Sequence, residues 1–248
     1  MVKHFIIVSS SYSEGMRIAM HYVVDDFMTA DLLSGEIRAI KTHCGEGVSI
    51  STHYIETTSP DWNSVVTKDR FFENIEVVDN LLTFIKLISI DRKLKGLDIA
   101  KYILSKHSCT HLELEKLVYM CYADYLCGTQ KRLFEDEIYA FKYGPVIESV
   151  FNEYKGIREI TNTEHSSYTI KKDFSRMPAR SRILFAEDGI EKLSYVNKTL
   201  NKYKGFSASQ LVDITHVKDG PWDRTDKSRP FSVITDSTIL AHHCKETV

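Results

Sequence analysis

The 248-residue sequence has no CxxC pair, no glycine-rich phosphate loop of the GxGxxG or GxxxxGK[ST] kind, and no GxSxG nucleophile elbow. Each absence removes a class of chemistry: paired-cysteine metal or redox sites, nucleotide phosphate cradles, and α/β-hydrolase nucleophiles. It also lacks a basic excess, since 32 Lys and Arg against 34 Asp and Glu leave a formal charge of −2. There is therefore no global field to hold a nucleic-acid backbone, and no Arg-rich recognition helix stands out, so neither DNA nor RNA is the expected partner. Long apolar runs are missing too. The N-terminal run covers only residues 5–8, too short for a signal peptide or a membrane span, which gives a cytoplasmic expectation without membrane contact. No repeat or low-complexity tract interrupts the chain.

The five cysteines, Cys44, Cys109, Cys121, Cys127 and Cys244, are odd in number and irregularly spaced. That argues for reduced thiols and against a disulfide framework. The histidine and cysteine groups at His43-Cys44, His53, Cys109-x-His111 and His242-His243-Cys244 lack metal-ligand spacing, so neither a metal nor another cofactor is expected. A Cys121 and His216 pair could be drawn as nucleophile and base, but Cys121 sits on an apolar helical stripe, where a cysteine acts as a small hydrophobe. The acidic run Glu135-Asp136-Glu137 reads as a solvated turn, with an acidic edge for a basic partner as the alternative. On the residues alone, no catalytic constellation is expected.

What is present is pattern. Residues 2–9 (VKHFIIVS) read as a buried strand, being short, β-branched and closed by serines. Residues 16–28 are ambiguous between helix and strand. Residues 36–43 (EIRAIKTH) and 48–56 (VSISTHYIE) alternate around Gly45-Glu46-Gly47 and predict a hairpin. Residues 57–69 read as loop and residues 72–78 as strand. Asp79 is placed to cap a helix over 80–90, with Leu81, Leu82, Ile85 and Ile88 on one face.

The charged connector 91–95 (DRKLK) separates this part from a helical remainder. The expected organisation is a small α/β or β-rich domain over 1–90 and a mainly helical domain with a small β element over 94–248, an α+β chain as a whole. Residues 97–106 predict an amphipathic helix. Thr110 and Glu113 form a capping box for a helix striped by Leu114, Leu117, Val118, Cys121, Tyr125 and Leu126 and stopped by Gly128. Residues 137–142 predict a strand. Pro145, after Tyr143-Gly144, is placed as the first residue of a helix running to Tyr154. Residues 156–172 are polar, with a short strand around Tyr168. A helix over 187–203 carries Ile190, Leu193, Val196 and Leu200 and stops at Gly205. Ser207 and Gln210 form a second capping box, residues 218–222 break that helix, and Asp236 caps a last one over 237–245.

Taken in order, the segments LDIAKYIL, LELEKLVYMCYADYL, LFEDEIYAFKYGPVIESVFNEYKG, FSASQLVDITHVKDGPWDRT and ITDSTIL resemble the Panacea (SocA-like) antitoxin domain, a phage-associated family, over residues 94–245. Two positions depart from the family's usual residues: Glu115 stands where glutamine is common and Glu148 where proline is. The resemblance implies a non-enzymatic bacterial antitoxin, coded beside a toxin in a toxin–antitoxin operon or prophage. Such proteins neutralise the cognate toxin by direct contact, and one related member delivers its toxin to a protease. Its motif residues fall here on Lys116, Tyr119, Lys142, Tyr143, Gly144, Pro145, His216, Gly220, Pro221 and Trp222.

For Trp222 two readings stay open, a core pin or an exposed interface anchor. The Tyr143-Gly144-Pro145 turn is expected to be structural, with partner selection in residues 1–90 or the polar 156–180 stretch. Homodimerisation is left open. The rival reading makes residues 1–90 an effector, enzyme or nucleic-acid binder, held by its own Panacea domain.

Overall fold

The computed structural model describes residues 1–12, 15–24, 30–106, 108–156 and 178–246. The chain is α+β and divides into two compact units, one of residues 1–93 with 185–187, the other of 94–184 with 188–248.

The first unit is built on a sheet of β1 (Val2–Ser11), β2 (Met16–Val24), β3 (Ile50–Thr57) and β4 (Ile75–Val77) in the order β3-β1-β2-β4. β1 pairs antiparallel with β2 and β3, and β4 runs parallel to β2. β1 reads as a continuous apolar run because both of its faces are covered. Ile7, with Ile18 and Met20 of β2, meets Ile40 and Cys44 of α1 (Ala30–Cys44) and Phe84, Ile85 and Ile88 of α3 (Leu81–Asp91). On the opposite face Ile6, Val8 and Ala19 meet Val65 of α2 (Trp62–Lys68), Phe72 and Ile75.

Residues 36–43 are helical, within α1, and form no hairpin with β3. Alternation puts Ile37 and Ile40 on opposite faces, whereas a helix unites Ile37, Ile40 and Cys44 on the face that meets the sheet. Residues 62–68 are likewise helix, not loop: Trp62, Val65 and Val66 recur at helical spacing and pack below the sheet. Residues 70–72 form a 3-10 turn ahead of the short β4. The cap of α3 is Asn80, one residue beyond Asp79, accepting from the Thr83 backbone N–H at 2.9 Å. Leu82 points outward, 77% exposed, and Phe84 takes its place in the core.

The second unit is organised around α5 (His111–Thr129). Its capping box forms as expected, with the Glu113 N–H donating to Thr110 Oγ1 and the Thr110 N–H to Glu113 Oε2. Every residue from Leu114 to Ala123 is buried, so the helix is enclosed on all sides. It is packed by α4 (Gly96–Leu104), the hairpin β5 (Ile138–Phe141) and β6 (Gly144–Ile147), α6 (Glu148–Tyr154), α8 (Gly189–Lys202), α9 (Ala208–Thr215) and α11 (Asp236–His242). α7 (Pro178–Leu184) and α10 (Pro221–Arg224) complete the unit; neither is signalled by sequence periodicity.

Gly128 is not the stop of α5. The chain leaves the helix at Gln130, which takes the left-handed conformation at φ 62°. Gly128 lies inside the helix because a Cβ there would stand 2.4 Å from Tyr195 Oη. In α8 the same kind of correction applies to Ile190, which is 79% exposed and outside the stripe of Leu193, Val196 and Leu200. The capping box of Ser207 and Gln210 on α9 is present. Thr235, not Asp236, caps α11, and a 3-10 turn follows over His243–Lys245. The strand expected around Tyr168 lies outside the described residues.

Candidate functional site

The motif residues divide into a clamp on the hairpin and a buried ionic chain under it. Pro145 is not a helix start. It lies in β6, opposite Ala140, and the helix begins at Glu148. The turn is a two-residue hairpin with Lys142 and Tyr143 at its tip, so a strand separates the turn from the helix the sequence predicts there.

Consecutive residues of α5 hold the β6 backbone. The Ile147 N–H donates to Glu115 Oε2 at 3.0 Å, and Lys116 Nζ donates to the Pro145 carbonyl at 2.8 Å. Proline suits a position where the carbonyl is used and no N–H is needed. Gly144 has φ +100° and faces Lys116 so closely that a Cβ would stand 3.0 Å from Lys116 Nζ and from Thr215 Oγ1. Gly144→Ala therefore combines a strained φ with a collision against a buried lysine, and a loss of about 2–4 kcal/mol is expected in chemical unfolding. An unchanged midpoint would show the clamp to be loose.

From the other side Trp222 Nε1 donates to the Phe141 carbonyl at 2.8 Å. His216 lies against the indole at 3.9 Å between ring centroids and shares a hydrogen bond through Nδ1 with the Val212 carbonyl. Gly220 caps α10, Pro221 is its buried first residue, and a Cβ on Gly220 would stand 2.9 Å from Val217. Trp222 is thus half-buried and pins the hairpin through its indole N–H. Lys142 and Tyr143 are the exposed motif residues, Tyr143 being 61% exposed with the Lys142 ammonium 5.4 Å from its ring, while His216 and Trp222 are part-buried.

Below the hairpin, Tyr119 Oη donates to Glu246 Oε2 at 2.8 Å. His243 donates from Nδ1 to the same oxygen at 2.7 Å and from Nε2 to Asp124 Oδ1 at 2.9 Å. Thr199 Oγ1 donates to Asp124 Oδ2 at 2.7 Å. Two acceptors around one imidazole require both nitrogens to carry protons. Burial alone would lower the His243 pKa, but its hydrogen bonds to Asp124 and Glu246 and their charges raise it to about 9. Burial works against the Asp124 charge, yet the His243 and Thr199 hydrogen bonds hold its pKa below the ordinary value. Burial raises the Glu246 carboxyl above its ordinary value. Burial also lowers Lys116 to about 8, against the opposing pull of Glu115 and Glu246.

Most of this ionic chain is shut off from solvent, Asp124 being its one part-buried member with a side chain 20% exposed. Tyr119, Lys116, His243 and Glu246 are each at most 2% exposed, and burial pushes the Tyr119 hydroxyl and Cys121 thiol well above their ordinary values. Cys121 lies in the core, while the nearest partners of His216 are Trp222 and Val212. A separate cleft of about 610 Å³ is lined by Lys106, Cys109, Glu113, Tyr203 and Lys204 among others; burial and the Glu113 charge push its Cys109 thiol up to about 12. Among the described residues no group of three or more His, Cys, Asp or Glu is placed to hold a metal ion, and no helix is long and apolar enough to cross a membrane.

Asp124, Thr199, His243 and Glu246 are invisible to motif reading, because the bonds joining the last three to α5 span 75 to 127 residues of sequence. The one available signal is a carboxylate at 124 inside an otherwise enclosed helix, which demands a distant partner.

Residues 114–223 match the family model described as antitoxin SocA-like, Panacea domain. The matched stretch runs from the first buried turn of α5 into α10 and contains all ten motif residues. No curated protein and no solved structure matches the chain.

Proposed function

We propose that the chain is an antitoxin-like protein that neutralises a partner toxin by direct protein contact, with the α5-centred unit as its scaffold. The observation that carries this is the antitoxin-like family match over residues 114–223, which points to a protein partner. The geometry supports it in two ways. The buried motif residues serve as internal fasteners, and Lys116, Tyr119, His243 and Glu246 are each at most 2% exposed. The action then needs no catalytic group. The setting implied by the family resemblance, a toxin–antitoxin pair or prophage, is part of this proposal.

Co-expression with the product of the adjacent gene tests it. The partner alone is expected to arrest growth and the pair to grow, with both proteins recovered together at unchanged partner level. A falling partner level in the rescued cells would instead indicate delivery to a protease. A second reading is favoured by the first unit, which has two apolar clusters of its own on either face of its sheet. If residues 1–93 act as an effector, expressing them alone arrests growth; if they select the partner, they are harmless.

A further inference from the structure

Phe231 is an exposed aromatic residue held in a conformation that L-residues avoid. Its φ is +58° and it is 60% exposed. Residues just after it pair with the outer edge of β5: the Ala140 N–H donates to the Ser232 carbonyl and the Ile234 N–H to the Ile138 carbonyl, both at 2.8 Å. The chain therefore lies beside β5 up to Ser232 and turns sharply at Phe231. That turn sets the Phe231 ring edge-on to Tyr139 at 5.9 Å and to Phe141 at 5.7 Å. A bulky residue at positive φ on the surface is a backbone outlier.

Beside it lies an open groove of about 450 Å³, lined by Phe141, Lys142, Lys227, Arg229, Pro230 and Phe231 among others. No carboxylate lines it. Lys142 and Arg229 form no side-chain ion pair among the described residues. Lys227 is engaged within its own turn, its ammonium donating to the carbonyls of Trp222, Asp223 and Thr225 and lying 4.2 Å from the Trp222 ring. An aromatic floor flanked by two cations without an ion-pair partner among the described residues, Lys142 and Arg229, in a chain whose total charge is −2, is complementary to one kind of ligand.

We propose that this groove docks an acidic segment of the partner protein, an apolar side chain of that segment lying on Phe231 and Phe141 while its carboxylates meet Arg229 and Lys142. This rests on the protein-binding reading above and gives it a location, on the hairpin side of the second unit. Aromatic anchors flanked by cations are the residue types that dominate interface energetics, and like charges would exclude a basic partner.

The test uses the full chain and a fluorescein-labelled peptide of alternating glutamate and phenylalanine, with a lysine–phenylalanine peptide and oligo-dT as comparisons. The acidic peptide is expected to bind, more weakly as salt rises. Arg229→Glu and Phe231→Gly are each expected to weaken it about 10-fold or more. Phe231→Gly is also expected to keep or raise the thermal midpoint, since glycine accepts φ +58° freely. A merely structural Phe231 would lower that midpoint. Tighter binding of oligo-dT, binding of both peptides alike, or no effect of Arg229→Glu overturns the proposal. The two readings fail separately. Full neutralisation of the partner by the Phe231→Gly, Arg229→Glu double variant removes the groove and leaves the antitoxin reading intact. A wild-type chain that binds the acidic peptide but does not rescue growth removes the antitoxin reading alone.

Discussion

Replacing His243 with alanine is expected to destabilise the folded chain by about 3–5 kcal/mol, the usual loss when one member of a buried ionic network is removed. The imidazolium is 2% exposed and donates to Asp124 and Glu246 together. Without it a buried Glu246 and a part-buried Asp124 lose their counter-charge, Asp124 keeping only the Thr199 hydroxyl and Glu246 only the Tyr119 hydroxyl among the hydrogen bonds described.

The same residue sets a pH dependence. The His243 pKa rises from 6.5 to about 9 on folding, so its stabilisation is complete below pH 6.5 and is lost as pH rises through about 9. The size is about 3 kcal/mol, because each tenfold gain in proton affinity on folding contributes about 1.4 kcal/mol. Lys116 runs the opposite way. Its pKa falls from 10.5 to about 8 on folding, so stability is regained as pH rises from 8 toward 10.5. Urea unfolding should therefore show stability falling from pH 6.5 to 8, level to about 9 where the two effects oppose, and rising above that as Lys116 alone contributes, while the His243→Ala protein loses the fall. A wild-type profile flat from pH 6.5 to 8 would mean that the imidazole is not the charged centre described.

Lys116→Met is expected to cost about 3 kcal/mol or more, and the loss should be largely recoverable by a second change on the same helix. Methionine has nearly the volume of lysine, so little cavity forms. What is lost is the bond to the Pro145 carbonyl and the positive charge that Glu115 and Glu246 face. Glu115 is 2% exposed, with one oxygen on the Ile147 N–H and the other without a hydrogen bond, 3.5 Å from His111. Glutamine at 115 can accept the same N–H without carrying charge. The Glu115→Gln, Lys116→Met double variant is thus expected to recover at least half of the loss, a coupling of about 1 kcal/mol or more. Additive effects would show that the two charges do not sense each other.

How much of the fold and the site is legible in the sequence follows from the range of the interactions. The capped start of α5, the box on α9 and strand β1 follow from local rules, and the fold class follows from their order. α1 escapes a local reading because eight residues in which Ile37, Ala39 and Lys41 alternate with Arg38, Ile40 and Thr42 can be read as a strand, and only the sheet that gathers Ile37, Ile40 and Cys44 on one face decides for the helix. The Gly144-Pro145 pair is a local signal of a break, but its use in β6 depends on Lys116, a residue 29 positions away. Gly128 and Gly144 both signal chain geometry in sequence and turn out to make room for a side chain. His243 and Glu246 look like unremarkable terminal residues because their meaning comes from Asp124 and Tyr119, more than 110 residues upstream. Phe231 carries no signal, since a backbone φ is not written in composition.

The most direct test of the central claim is co-expression of the intact chain with the product of the adjacent gene, read as growth and as recovery of a complex on an affinity-tagged partner. The account expects arrest by the partner alone, growth with both, and a complex that survives purification at low salt. A partner that is harmless alone, or one that stays toxic beside a well-folded and abundant chain, would contradict it.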